Sequence, residues 1–266
     1  MPTVLITGAT DGLGRAVARD LARGGATILV HGRDRERAEA VVDELGGEPH
    51  RAFLADLAEL AQVRGLARQI HDGAPRLDAL VNNAGIGATL PGDGARLESA
   101  DGYELRFAVN HLAGFLLTRL LEDLLIRSAP ARVVNVSSAG QMPIDFDDVM
   151  LERGYSGVRA YCQSKLAQVM FTFELADRLR DRDVTATCLH PATYMPTKMV
   201  LAAGTRPVSS LEQGTAATVR LVTDPALAGV TGAYFNGQRE ARAEAQAYDP
   251  AARQRLWELS ERLTGL

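Results

Sequence analysis

Short apolar runs alternate with longer stretches in which apolar residues recur every three or four positions. Thr3–Thr7 is an apolar run that ends in a glycine-rich turn, and Leu13–Arg23 then carries apolar residues at helical spacing. The same reading predicts a strand at Thr27–His31, a helix at Arg35–Leu45, a strand at His50–Leu54, a helix at Leu60–Ile70 and a strand at Leu77–Asn82. A long helix around Tyr103–Arg127, a strand at Arg132–Val136, a helix at Val158–Arg180 and a strand at Val184–Leu189 follow. Beyond them the alternation weakens into a helix at Arg206–Thr223, a short strand at Gly232–Phe235 and a C-terminal helix at Pro250–Leu263. Strands alternating with helices of this length pair in parallel through right-handed crossovers. The pattern therefore predicts an α/β fold built on a single doubly wound parallel sheet of about seven strands, with helices on both faces. No repeat or Pro/Ser-rich linker divides the chain, and residues 1–266 read as one domain.

Composition removes several classes of function. With 46% hydrophobic and 23% charged residues, the chain has the make-up of an ordinary globular protein and can bury a large core. Its net charge of −4 offers no basic excess for a phosphate backbone, so nucleic acid is not expected as a partner. Charged residues interrupt every apolar stretch well short of the ~20 positions a membrane span needs, so no span is expected. Two cysteines, Cys162 and Cys188, make no disulfide framework, and no signal peptide is evident, which together point to a reducing cytoplasm. The five histidines have no metal-ligand spacing and are read as structural; no metal is expected. Lys165 and Lys198 are the only lysines among 29 basic residues. A lysine retained in an arginine-rich chain hints at a task that a guanidinium cannot perform.

The turn after the first strand, Thr7-Gly8-Ala9-Thr10-Asp11-Gly12-Leu13-Gly14, opens directly into a helix. Glycines there let the chain turn sharply and let backbone amides approach a pyrophosphate at the positive end of the helix. The second strand ends in His31-Gly32-Arg33-Asp34, without an acid to hold a ribose 2′-hydroxyl and with a guanidinium suited to a 2′-phosphate. NADP(H) is thus favoured over NAD, unless Arg33 is simply solvated at a helix entry that Asp34 caps. Asp56-Leu57 follows the third strand, where an aspartate can cap the next helix. Asn82-Asn83-Ala84-Gly85 ends the fourth strand with small residues that can lie beside a flat ring.

Tyr161 and Lys165 stand one helical turn apart on one face. An ammonium beside a phenol favours phenolate, which makes Tyr161 a candidate general acid or base. Upstream, Arg132–Ser138 is a strand ending in two serines, where the Ser138 hydroxyl can meet a ligand at the sheet's carboxyl edge. Asn110 interrupts an apolar helix, so it needs a buried partner or a catalytic role.

Taken together, the Thr-Gly-x-x-x-Gly-x-Gly turn, Asn82–Gly85, Asn110, Ser138 and Tyr161-x-x-x-Lys165 resemble the short-chain dehydrogenase/reductase family from Thr3 to about Phe235. Ala160–Leu179 and Val109–Thr118 are most similar to its retinol-dehydrogenase-like and WW-domain-oxidoreductase-like branch. The resemblance implies a Rossmann-like sheet and an NADP(H)-dependent oxidoreductase that interconverts a carbonyl and an alcohol. It implies catalytic roles for four residues. Tyr161 exchanges the proton, Ser138 polarises the substrate oxygen, Lys165 binds nicotinamide ribose and lowers the tyrosine pKa, and Asn110 holds a water that links the lysine to solvent. Gly8, Thr10, Asp11, Gly12, Leu13, Gly14, Arg33, Asp56, Leu57, Asn83, Ala84, Gly85, Tyr161, Lys165 and Pro191 are the implied cofactor contacts, joined by Thr193 or Thr197 on the nicotinamide carboxamide.

Two departures from the family pattern stand out. Tyr161 lies 23 positions beyond Ser138, and the segment between them includes the acidic Ile144-Asp145-Phe146-Asp147-Asp148. Alanine follows Pro191 where glycine is usual, and one extra residue precedes Thr197. Met142, Ile144 and Phe146 on one segment, with Met195 and Met199 on a flap opposite, predict a roomy apolar pocket for a bulky small molecule. Inward-pointing Asp145, Asp147 and Asp148 would instead favour a cationic or hydroxyl-rich substrate. Non-redox chemistry by the same tyrosine, such as cyclisation or dehydration, is the competing enzymatic reading. A cofactor-binding regulatory protein is the other, and a homo-oligomer is compatible with all three.

Overall fold

The computed structural model describes residues 1–89 and 91–266. Eight strands form one sheet in the order β3-β2-β1-β4-β5-β6-β7-β8. They are β1 (Thr3–Ile6), β2 (Thr27–Gly32), β3 (Arg51–Leu54), β4 (Ala79–Asn82), β5 (Ala131–Val136), β6 (Val184–His190), β7 (Ala233–Asn236) and β8 (Arg239–Ala241). Pairing is parallel from β3 through β7, with Ile6 beside both Val30 and Val81. Only β8 runs antiparallel, folding back on β7 after a turn at Gly237. Strand order reverses direction between β1 and β4, and the carboxyl ends of these two strands open the crevice in which such sheets bind ligands.

The strands are apolar on both faces because both faces are covered. Val4, Ile6, Ile28 and Val81 point into one core, closed by α1 (Gly12–Arg23), α2 (Arg35–Glu44) and α9 (Leu211–Thr223). Leu5, Leu29, Leu80 and Val133 point into the other, closed by α3 (Leu60–Gly73), α5 (Ala113–Leu120), α7 (Gly157–Arg178) and α10 (Pro250–Thr264). In α1 the buried positions Leu13, Val17 and Leu21 recur every four residues, Asp11 caps the first turn, and Gly25 ends the helix at φ +88°. Residues 157–178 bury nearly every side of α7, which fits a central helix wedged between the sheet and α10.

The region read as one helix over Tyr103–Arg127 is four pieces: α4 (Leu105–Phe107), a π-turn at Ala108–Leu112, α5 and α6 (Glu122–Arg127). A short α8 (Lys198–Ala202) lies in the flap after β6, and both it and β8 are additions to the predicted elements. Among the described residues no helix is long and apolar enough to cross a membrane.

Two histidines are sealed in this fold. His111 packs among Phe107, Phe115 and Phe171, its Nε2 bonded to Ser260, and burial pushes it down to about 3. His31 lies under the β1–α1 turn and is pushed down to about 4, again chiefly by burial. Both are neutral when folded and regain the ordinary value of 6.5 when unfolded. The unfolded chain thus binds more protons below 6.5, and stability falls with pH from there until the folded values are reached. His31 alone accounts for a loss of order 3 kcal/mol across that window. Melting temperature should therefore decline as pH is lowered from 7 to 5, and a flat profile would contradict the assignment.

Candidate active site

The floor of the crevice is a clamp between the ends of β1 and β4. The Thr7 hydroxyl accepts from the backbone N–H of Asn83 and of Ala84, both at 3.0 Å. In return the Asn83 amide donates to the carbonyls of Thr7 at 2.8 Å and Gly8 at 3.2 Å. From the β2 side, Nδ1 of His31 accepts from Gly8 N–H at 3.1 Å while its Nε2 bonds the Ala55 carbonyl at 3.2 Å, which makes Nε2 the protonated nitrogen. Gly8 sits at φ +65° and Gly12 at φ +49°. A Cβ on Gly14 would collide with the Gly8 carbonyl and come within 2.5 Å of the Asn83 amide nitrogen. The turn is thus drawn as tight as backbone allows, with the amino end of α1 opening over it. Such a cradle fits a pyrophosphate.

On the β2 side of the turn, Gly32 is the last residue of its strand, and a Cβ there would run into the Thr10 methyl. A side chain at that position would require Thr10 to move. Arg33 is exposed next to it, and Asp34 caps α2 by accepting from Arg37 N–H at 3.0 Å. The cap is therefore present, and it leaves Arg33 exposed beside Gly32. Asp56 is committed to its own turn, accepting from Ala58 N–H at 2.9 Å, while Glu59 stands at the start of α3; Leu57 is buried.

The proposed catalytic set converges at the carboxyl ends of β4 and β5. Asn110 lies in the π-turn, where its carboxamide takes both backbone groups of Ile86: Oδ1 accepts from N–H at 2.8 Å and Nδ2 donates to the carbonyl at 3.1 Å. Its second Nδ2 hydrogen reaches Ser164 Oγ at 2.9 Å. These bonds explain a polar residue inside an apolar helix and pin the chain after β4. The Ser138 hydroxyl accepts from Gly140 N–H at 3.1 Å and lies, like the Tyr161 ring, beside Gly140. Lys165 is buried, with Nζ 5.8 Å from the centre of the Tyr161 ring and donating to the Val136 carbonyl at 3.0 Å and Gln168 Oε1 at 2.8 Å. Burial pushes the Tyr161 phenol up, against the opposing effect of nearby Ser138, and burial draws Lys165 down to about 7. In the free protein burial is thus the larger effect on the phenol, with Lys165 Nζ 5.8 Å from the ring centre.

The flap corrects part of the pocket reading. Met195 is not a pocket residue; it is buried beneath α9, against Gly214 and Leu13. Ile144 is buried and Phe146 packs against the core under Arg255, because Gln246 bonds both backbone groups of Ile144 and ties that segment to the C-terminal region. Met142 and Met199 remain exposed, as do Tyr194 and Leu201. The acidic residues are spent: Asp145 pairs with Arg159, Asp147 with Arg255, and Asp148 accepts from the N–H groups of Glu152 and Arg153. Pro191 is buried, Thr193 bonds His190 at 2.9 Å, and Thr197 lies against Gly12. Lys198 then reaches Asp11 Oδ2 at 2.7 Å, on the same oxygen that Arg37 holds at 2.9 Å, while Met199 leans on Gly87. Three consecutive residues of the flap thus span the crevice from the glycine-rich turn to the loop after β4.

His31 and Gln168 are site residues that sequence reasoning passed over, and Lys198 is one that only the scarcity of lysine singled out. His31 and Lys198 act through partners distant in the chain, whereas Gln168 bonds Lys165 only three positions away.

A doubly wound sheet with a glycine cradle at its switch point and a buried Ser-Tyr-Lys cluster beside it belongs to the class of nucleotide-binding α/β proteins. The short chain dehydrogenase family matches residues 2–206, and the chain belongs to that family. It is 38% identical to human retinol dehydrogenase 14, over 99% of this chain and 86% of that protein. It is likewise 38% identical to a Streptomyces sp. (strain C5) protein provisionally named daunorubicin C-13 ketoreductase DnrU, over 99% and 92% of the two chains. A solved short-chain dehydrogenase structure from Escherichia coli CFT073, complexed with NADPH, superposes at TM-score 0.72 with 28% identity, covering 90% of this chain and 97% of that one. The protein is an oxidoreductase of carbonyl or alcohol groups on a small molecule.

Proposed function

We propose that the protein uses NADP(H) to interconvert a carbonyl and an alcohol on a bulky apolar small molecule, with Tyr161 as the general acid or base. The observation that carries this reading is the meeting of Ser138, Tyr161 and Lys165 at one sheet edge, with Asn110 fixing the loop beside them. The bound cofactor supplies the hydride. The β1–α1 turn would hold its pyrophosphate, Arg33 its 2′-phosphate, and Lys165 its nicotinamide ribose. Thr197 is the better placed of the two candidate threonines for the carboxamide, since it adjoins Gly12 while Thr193 is bonded to His190. Tyr161 delivers the proton to the substrate oxygen during reduction, and Ser138 donates a hydrogen bond that polarises the same oxygen.

Exposed Met142, Met199, Leu201 and Tyr194 around the mouth support an apolar substrate, as does the pairing of every nearby aspartate. A rate panel of lipophilic ketones and aldehydes against sugars and amino ketones, followed by NADPH consumption, tests the whole reading. Higher specificity constants for the polar set would reverse the substrate assignment.

Cofactor choice is tested separately. Gly32 and exposed Arg33 favour a 2′-phosphate, and one charge-assisted contact is worth about 1.5–3 kcal/mol, or roughly ten- to hundredfold in affinity. NADPH should bind more tightly than NADH by that factor, and Arg33→Ala should erase most of the difference by weakening NADPH alone. Equal affinities in the unsubstituted protein would refute the preference.

A further inference from the structure

Gln168 lies one turn beyond Lys165 on α7, buried at the floor of the site. Its Oε1 accepts from Lys165 Nζ at 2.8 Å, and the Val136 carbonyl accepts from the same nitrogen at 3.0 Å. Both acceptors are neutral dipoles. Among the described residues no carboxylate lies within 4.0 Å of Nζ. The groups facing Lys165 come from every element around it: Tyr161 and Gln168 on its own helix, Val136 and Ser137 from β5 and its end, Asn110 on the π-turn and Gly85 after β4. Tyr161 is the one titratable side chain among them.

Gln168 is itself anchored. Its backbone carbonyl accepts from the Thr172 hydroxyl at 2.7 Å, which accepts from Asn135 Nδ2 at 2.8 Å; Asn135 Oδ1 in turn accepts from Asn82 Nδ2 at 2.8 Å, and the same amide reaches Thr118 at 3.0 Å. A polar ladder therefore runs from the site through β5 and β4 to α5. Asn82 Oδ1 is buried without a partner, and Asn82, Asn110, Thr7 and Gln168 are among the residues lining a small cavity of about 10 Å³. That is room for a single water, in a place polar enough to keep one.

We propose that Gln168 is a positioning residue that holds the Lys165 ammonium beneath Tyr161 through a neutral acceptor, leaving its charge uncompensated and available to the phenol and the cofactor ribose. The assignment rests on the reading of Lys165 as part of the catalytic set. A carboxylate at 168 would form a buried ion pair and spend that charge, while an apolar residue would leave one ammonium hydrogen without an acceptor. Burial already draws Lys165 down to about 7, so the loss of an acceptor for the charged form matters near neutral pH.

The scarcity of lysine makes a direct test practical. Lysine labelled at the ε-carbon gives two NMR signals, from Lys165 and Lys198, and Lys198→Arg assigns them. The full chain is titrated without cofactor as the unsubstituted protein, Gln168→Glu and Gln168→Met. The Lys165 pKa should rise by about one to three pH units in Gln168→Glu and fall in Gln168→Met, with Lys198 unmoved. Gln168→Glu is isosteric, so it carries the test alone if the methionine variant does not fold. A Lys165 titration unchanged in the folded variants would show that Gln168 is only packing and overturn the proposal. Failure to bind NADPH would remove the proposed function while leaving this titration, read on the free protein, intact.

Discussion

Tyr161→Phe is expected to lower turnover of a carbonyl substrate by about a hundred- to ten-thousand-fold, the usual span for loss of a positioned general acid. NADPH affinity should change little, because the ring stays and only the hydroxyl goes. Burial holds the phenol protonated in the free protein. A protonated phenol is the form needed to deliver a proton during reduction; in the oxidative direction the same group must first lose it. The reductive rate should therefore persist to lower pH than the oxidative rate, and the separation of the two pH profiles should disappear with the hydroxyl. Single-turnover measurements with saturating NADPH separate this loss of chemistry from any loss of binding. A phenylalanine variant that keeps the wild-type rate on a turned-over ketone would move the proton-transfer role to another group.

Much of the fold was legible because each parallel strand is buried on both faces and reads as an apolar run, while the covering helices keep a 3.6-residue period. Arg239–Ala241 carried no such signal. Its sequence is Arg-Glu-Ala, and it becomes a strand only because Tyr234–Asn236 offers an edge to pair with after the Gly237 turn. The predicted long helix over Tyr103–Arg127 failed for a related reason. Periodicity sees an apolar stretch, whereas the π-turn at Ala108–Leu112 accompanies the bonds between Asn110 and Ile86, a contact between residues 24 positions apart. Asn110 was visible as an anomaly in that helix, and its partner was not.

The same distinction runs through the site. Residues set by local spacing, such as Tyr161 with Lys165 or the glycines of the β1–α1 turn, could be named from the sequence. Met195 could not be placed, since an apolar residue in a flap has the same appearance whether it lines a pocket or, as here, anchors the flap beneath α9. His31 was read as structural, and it is a structural residue with a site-building task, because its ring carries Gly8 on one nitrogen and Ala55 on the other. The acidic run after Ser138 also divided on long-range partners: Arg255, more than a hundred positions away, takes Asp147.

Gly14→Ala is the substitution from which the largest combined loss is expected. In an ordinary helix this change stabilises by roughly 0.5–1 kcal/mol, because alanine gives up less backbone freedom on folding. At position 14 the new Cβ meets the Gly8 carbonyl oxygen, comes within 2.5 Å of the Asn83 amide nitrogen, and within 3.0 Å of the Gly8 carbonyl carbon. Two of these neighbours are backbone of the turn, and the third is bonded to the Thr7 and Gly8 carbonyls, so none can yield without opening the clamp. Overpacking of this kind costs about 1–3 kcal/mol or more. The sign of the stability change therefore reverses, and nucleotide affinity should fall with it, since α1 must lift away from the turn that would hold the pyrophosphate. Gly214→Ala provides the control: its Cβ also collides, with the Met195 sulfur, yet a flexible side chain can rotate away. Thermal melts paired with NADPH titration should show Gly14→Ala less stable and at least about tenfold weaker in binding, a loss of about 1.4 kcal/mol, with Gly214→Ala close to the parent in both. A Gly14→Ala protein that melts as high as the parent and binds NADPH normally would mean that the turn has slack, and that the closeness of α1 to Gly8 is not what builds the cradle.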